Sequence, residues 1–370
     1  MDFDFSEDQK FLQQECRKLL EGQSPLSKVR EVFEGKGSYD RALWEAMGKL
    51  GWLGVAIPEA YGGSGMGQLE LVMIAEEVGR ALAAIPFSSS IYLVANAILL
   101  AGSEEQKQRF LPGLASGELI GCFASQEVML TRNSQTFLTS LASGSLTGTK
   151  APVVDGDIAD IAVVTCMEDG RLALALVDLR EGGVERTPLK SLDYSRSQGR
   201  LKFVDHAAER LGGEGSGPAL LKLLLDRAAV LLAFEQIGGG QRCLEMARDF
   251  TLERYAFGRQ VASFQAIKHK LADMCVAIEM ARSNAYYGAW ALQNDSPELG
   301  IAASVARISA TEAFDSAAEE NLHSHGGAGF TWEYDCHLFV RRAKLLSLSL
   351  GSARHWKNNL MDQLREGQAS

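Results

Sequence analysis

In the stretch "DRALWEAMGKLGWLGVAIP", apolar residues recur at three- and four-residue intervals up to Gly51. That spacing predicts a helix with one buried face. "PEAYGGSGMG" then breaks regular structure with glycine and proline. Helical spacing resumes in "LELVMIAEEVGRALAAIP", where Pro86 is the expected stop, and Ser103 reads as the N-cap of "EEQKQRFLPGLASGE". Residues 1–118 therefore read as a helical domain interrupted by a glycine-rich loop.

After residue 119 the pattern shortens. "DIAVVTC", "LALALVDL" and "GRLKFVDH" are brief, rich in Val, Leu and aromatic residues, and bounded by Gly and Asp, as strands are. "SGSLTGTKAPVVDGD" fits a further strand and turn. From Pro218 onward, long helical runs return and need one another's apolar faces, which predicts an antiparallel bundle. The fold class expected is mainly α with a central β domain. Its parts are an N-terminal helical domain at 1–118, a β-barrel or sandwich domain at 119–215 and a C-terminal four-helix bundle at 216–370.

Composition changes this picture little. The 370 residues are 46% hydrophobic and 23% charged, as in a globular protein, and the net charge of −10 argues against nucleic acid as a partner. No apolar run reaches the ~18 residues of a membrane span. The start, "MDFDFSEDQKFLQQECRKLL", is acidic and helix-like rather than basic and apolar, so the expectation is a cytoplasmic chain with no removed segment. Cys16, Cys122, Cys166, Cys243, Cys275 and Cys336 lie far apart and read as reduced, mostly buried thiols. His323 and His325, two residues apart on a helix, point their rings apart, and no metal site is expected.

Four stretches, "GWLGVAIPEAYGGSGMG", "GSEEQKQRFLPGLASGE", "ERYAFGRQVASFQAIKHKLADM" and "HGGAGFTWEYDCHLFVRRAK", resemble the acyl-CoA dehydrogenase flavoprotein family, with their order kept over about residues 1–360. The resemblance implies FAD as cofactor, an acyl-CoA thioester as substrate, a tetramer with each FAD at a subunit interface, and an electron-transferring flavoprotein as acceptor. It also implies the reaction: a carboxylate removes the α-proton while the flavin N5 accepts the β-hydride. The α-C–H is a very weak acid, so a placed base and hydrogen bonds to the thioester oxygen are both required.

By that resemblance, Arg254, Phe257 and Gln265 of the "R-x-x-F-G" turn hold the ADP half of a neighbouring subunit's FAD. Arginine suits a pyrophosphate because its planar fork bonds two oxygens at once. The second nucleotide segment, "Q-x-x-G-G-x-G", is matched by His323, Gly326, Gly327 and Gly329, with His323 replacing the usual glutamine.

Other positions depart from the family. "CFASQEVML" sets Ala124 and Ser125 at the flavin-side Thr-Glu pair, and "PVVDG" sets Pro152 and Val154 where a "W-I-T-N-G" strand has its Trp and Thr. At the "Y-E-G-T" glutamate the run is "SLSLGS", so Leu350 occupies the base position before Gly351 and Ser352. The alternative base position, an "E-R" pair found by gapless counting back from the Phe257 turn, falls on Ala228 and Ala229. Asp226 lies about 200° round the helix from Ala228 and faces away. Glu235 shares the face but lies roughly 10 Å further along, and its Leu and Phe neighbours suit a carboxyl of raised pKa. A buried ion pair or a helix-packing hydrogen bond is the plainer role for Glu235. The mid-helix run Gly238–Gly240 costs roughly 1 kcal/mol per residue against Ala, which implies close backbone approach to another helix or a ligand.

Three readings follow. The first is a subunit of a heteromeric enzyme, an α2β2 assembly with a paralogous acyl-CoA dehydrogenase subunit of the steroid-catabolism type. Here this chain gives the ADP-half site and lacks the usual glutamate. The second is a self-sufficient homotetrameric dehydrogenase with Glu235 as relocated base. The third is a non-catalytic structural subunit.

Overall fold

Ser6 and Ser103 each open a helix with a reciprocal pair of bonds in the computed structural model, which describes residues 5–127 and 137–368. The Ser6 hydroxyl accepts from Gln9 N at 3.2 Å while Ser6 N donates to Gln9 Oε1 at 2.9 Å, starting α1 (Glu7–Gln23). Residues 1–4 lie outside the described residues. Asp40 caps α3 (Arg41–Lys49), following α2 (Leu26–Phe33), by accepting from Leu43 N at 3.0 Å. Ser103, as expected, forms the same pair of bonds with Gln106 and starts α6 (Glu104–Ser116). Each such cap contributes about 1 kcal/mol. Between them lie α4 (Gln68–Arg80), a π-helical segment at Ser88–Ala95 and α5 (Asn96–Ala101).

The chain divides into two compact units, neither continuous in sequence: one holds residues up to Arg30, Gln68–Ala83 and from Ala229 on, the other Glu31–Gly67 and Ala84–Ala228. The second unit carries, among the described residues, an eight-stranded sheet. Its strands are β1 (Gly121–Ala124), β2 (Ser140–Ala142), β3 (Ser145–Val154), β4 (Ile161–Glu168), β5 (Arg171–Asp178), β6 (Val184–Pro188), β7 (Gln198–Ala207) and β8 (Glu209–Leu211). The order is β6-β7-β3-β2-β4-β5-β8, with β1 parallel to β4. Residues 161–166 of β4 are buried without alternation, which is why their apolar run is continuous; β7 alternates and reads as half-buried.

The first unit packs α1 and α4 with α7 (Gly217–Glu253, from Ala229 on), α8 (Gln265–Gln293), α9 (Leu299–Ser324), α10 (Cys336–Leu348) and α11 (Ala353–Gln368). The glycine run in α7 is explained by close helix packing. A Cβ at Gly238 would stand 1.8 Å from the Glu76 carbonyl oxygen, and one at Gly79 of α4 would stand 1.8 Å from that of Glu235. Charges follow the same helices. Arg17 bonds Glu77 at 2.7 Å, Arg80 bonds Glu245 at 2.6 Å, and Arg282 bonds the buried Glu76. Burial pushes the Glu76 carboxyl up, and the Arg282 guanidinium opposes this.

One local expectation needs correction. Pro86 does not end α4: the helix stops at Arg80, where Leu82 turns left-handed (φ 49°) and its N–H bonds Gly79 O at 3.1 Å. The turn after α7 is a tight hairpin, in which Tyr255–Ala256 (β9) pairs antiparallel with Arg259–Gln260 (β10). Five cysteines are buried as free thiols and Cys275 is exposed. Among the described residues, no helix is long and apolar enough to cross a membrane.

Candidate functional site

In the first unit, the chain leaves α7 at Arg254, whose N–H still bonds Phe250 O at 2.9 Å, and turns through Phe257 (φ 54°) and Gly258 (φ 78°). Two consecutive left-handed residues suit a two-residue hairpin turn, so the strand pairing forces the Phe257 ring outward. It is 95% exposed. Phe264 backs the hairpin, its ring 6.3 Å from that of Phe257 with the Arg259 guanidinium 3.9 Å over it. Arg254 is exposed, as is Gln265 at the first position of α8.

The other nucleotide candidates sit at the end of α9. His323 is exposed, 3.9 Å from Glu320, and is followed by a single 3-10 turn at Gly326–Phe330. His325 is buried; its ring stacks on Phe250 at 4.1 Å, and burial lowers its pKa. Lys270 of α8 bonds Glu320 of α9 at 2.5 Å. These two ties bring Arg254, Phe257, Gln265, His323, Gly326 and Gly327 to one end of the unit. A Cβ added at Gly326 or Gly327 would meet nothing of this chain within 4 Å. Outward donors, an exposed ring and open glycine backbone fit the ADP part of FAD arriving from outside the subunit.

The candidate carboxylates are elsewhere. Glu235 is buried in α7, 3.9 Å from the buried Arg342 of α10, whose other Nη donates to Leu82 O at 3.3 Å. In the second unit, Asp226 is buried and paired with Lys222 at 3.0 Å. Ala228 and Ala229 are buried in α7. Leu350 sits on the turn after α10 with φ 59°, followed by Gly351 at φ 102°.

The second unit's candidates lie on β1 and β3. Ala124 is buried, the Ser125 carbonyl accepts from Thr165 Oγ1 at 3.3 Å, and Ala151 N donates to Gln126 O at 2.9 Å, joining the two segments. Pro152 is exposed and Val154 half-buried. Val128–Leu130, the end of the "CFASQEVML" run, lie outside the described residues.

Sequence reading missed the group behind these segments. Lys150 is fully buried, its Nζ 2.7 Å from Glu127 Oε1 and 3.1 Å from Thr165 Oγ1. Burial pushes its ammonium down to about 8 against the pull of Glu127. Burial acts to raise Glu127, but bonds from Lys150, Leu138 N and Thr139 outweigh it and leave the carboxyl below its ordinary range. A lysine two residues before an expected ligand-facing strand position was the available signal.

Comparison with known proteins shows the family. The model described as "Acyl-CoA dehydrogenase, N-terminal domain" matches residues 6–118, and that described as "Acyl-CoA dehydrogenase, C-terminal domain" matches 215–364. The chain is 30% identical over 361 residues to acyl-CoA dehydrogenase IpdE2 of Mycobacterium tuberculosis, covering 97% of this chain and 98% of that one. Among solved structures, the Tcur3481-Tcur3483 steroid ACAD is similar at TM-score 0.90 and 30% identity, covering 98% of this chain and 99% of that one. The ChsE4-ChsE5 complex of Mycobacterium tuberculosis is similar at TM-score 0.88 and 28% identity, covering 99% of each. This chain belongs to the acyl-CoA dehydrogenase family of FAD-binding oxidoreductases.

Proposed function

We propose that this chain is one subunit of a heteromeric acyl-CoA dehydrogenase, an α2β2 assembly with a paralogous partner. In it the chain lends its nucleotide edge to FAD and leaves proton abstraction to the partner. What supports the reading is that Leu350, by the family resemblance, falls at the base position, while Arg254, Phe257 and Gln265 are exposed. FAD, when bound, supplies the hydride acceptor. This chain's own part is to bind and orient. Arg254 would hold pyrophosphate oxygens, Phe257 and His323 would lie toward the adenine side, and the backbone at Gly326–Gly327 would allow close approach.

The relatives described as a steroid ACAD and as the ChsE4-ChsE5 complex favour a two-chain assembly and a bulky acyl group on CoA. An electron-transferring flavoprotein is the acceptor that the family supports. Glu235 is assigned to the ion pair with Arg342 rather than to the base. The Arg342 guanidinium 3.9 Å away gives the buried carboxyl a structural partner, and Gly79 of α4 packs directly on the Glu235 backbone.

Co-expression with the paralogous partner tests the reading. Alone, the chain should carry little flavin by visible absorbance; with its partner, flavin and acyl-CoA dehydrogenation should appear together. A yellow, active homotetramer of this chain overturns the proposal.

A further inference from the structure

Arg307 of α9 is 1% exposed, yet every acceptor it bonds is neutral. Its Nη1 donates to Gln236 Oε1 at 2.5 Å and to the Thr311 hydroxyl; its Nη2 donates to the carbonyls of Leu346 and, at 2.9 Å, of Ser349. Its Nε has no acceptor, and among the described residues no carboxylate lies within ion-pair distance. Burial drives the guanidinium down to about 10, against the more distant pull of Asp315 and Glu235.

Capping the end of α10 accounts for the two carbonyl bonds, since the last carbonyls of a helix lack partners and favour a cation. It does not account for the site chosen. Ser349 is the residue before Leu350, and the turn continues through two left-handed residues, Leu350 at φ 59° and Gly351 at φ 102°. A branched side chain at φ > 0 is strained and persists where surrounding structure fixes it.

We propose that Arg307 is a positioning residue of this turn: it ties the turn to α9 through the Ser349 carbonyl and sets a positive charge, without a salt-bridge partner among the described residues, next to position 350, so that an acidic group there is held as an anion. The seat of the base is thus armed although leucine occupies it. Its link to catalysis rests on the reading of Leu350 as the base position; the electrostatic claim does not. Other charged groups near the turn are Glu235 of α7, facing Arg342 at 3.9 Å, and Asp315 of α9, facing Lys344 at 3.4 Å. His355 of α11 packs on Gly351, 2.6 Å from where a Cβ would stand. All of these stay constant in the variants below.

A thiol reports the field directly, with no need of flavin, substrate or partner. In a Cys275→Ser background, which removes the exposed native cysteine, Leu350→Cys is titrated by its rate of reaction with Ellman's reagent against pH. The thiol introduced at position 350 should titrate about one pH unit lower with Arg307 than in an Arg307→Gln variant, and Arg307→Lys should restore part of the difference. Leu348→Cys, on the exposed end of α10, should titrate alike in both. Equal values for the 350 thiol with Arg and Gln at 307 overturn the proposal. Should Arg307→Gln fail to fold, the comparison within the Arg307 chain decides, and equal values at 348 and 350 overturn it. Loss of the heteromeric reading would show in flavin content and leave these titrations unmoved.

Discussion

The outer edge of the first unit and the turn after α10 contrast with one another. At the edge, the side chains proposed to meet a nucleotide are turned to solvent: Phe257 is 95% exposed, and a Cβ at Gly326 or Gly327 would meet nothing of this chain. At the turn, the backbone conformation and its buried cation are in place, but the side chain is an inert Leu350. A binding edge needs several groups acting together, whereas a proton acceptor is a single group. Under the proposed reading, a subunit can therefore lose the proton acceptor and still keep its binding edge and its fold.

This contrast can be broken at either end. The largest effect expected is at Glu235, which we place in the frame rather than the chemistry. Glu235→Ala takes away the carboxylate that faces the buried Arg342 and should cost about 3–5 kcal/mol in denaturant unfolding, while turnover per folded complex stays unchanged. A loss of turnover without a loss of stability would return Glu235 to the catalytic side. Next, Arg254→Ala should weaken FAD retention by the assembled complex about 30–100-fold, equivalent to about 2–3 kcal/mol, with no change in the unfolding of this chain. Gly327→Ala sharpens the point. Its Cβ meets nothing of this chain, so stability should move by less than about 0.5 kcal/mol, and any fall in flavin uptake reports a ligand standing there.

The smallest effect is a pH slope. Burial lowers the folded-state pKa of His325, so the unfolded chain binds the proton first as pH falls. Its contribution to stability is full above the ordinary histidine pKa of about 6.5 and is lost on acidification through the lower folded value. The fall in Tm from about pH 7 to pH 5 should therefore be shallower in His325→Gln.

Much of this was legible in the chain, for identifiable reasons. Ser103 with Gln106 announces a helix start by local chemistry alone, and the β4 run "IAVVTC" announces a strand buried on both faces. The hairpin at Tyr255–Gln260 was not legible, because paired segments of two residues carry no period. The π-helical Ser88–Ala95 follows an apolar run whose spacing does not separate one helical pitch from another. At the site, the exposed nucleotide residues were found by motif, but Arg307, Arg342 and Lys150 were passed over. A charged residue in a periodic pattern reads as solvent-facing, and only tertiary packing shows that these three are buried.

The facing glycines of α4 and α7 hold the first unit together independently of the candidate site residues. Where Gly79 and Gly238 meet the opposite backbone, the crossing of the two helices has no side chain to spare. A scaffold locked main chain to main chain is indifferent to the reactive residues mounted on it. Substitutions at the exposed edge or at the turn after α10 therefore leave this crossing of α4 and α7 untouched.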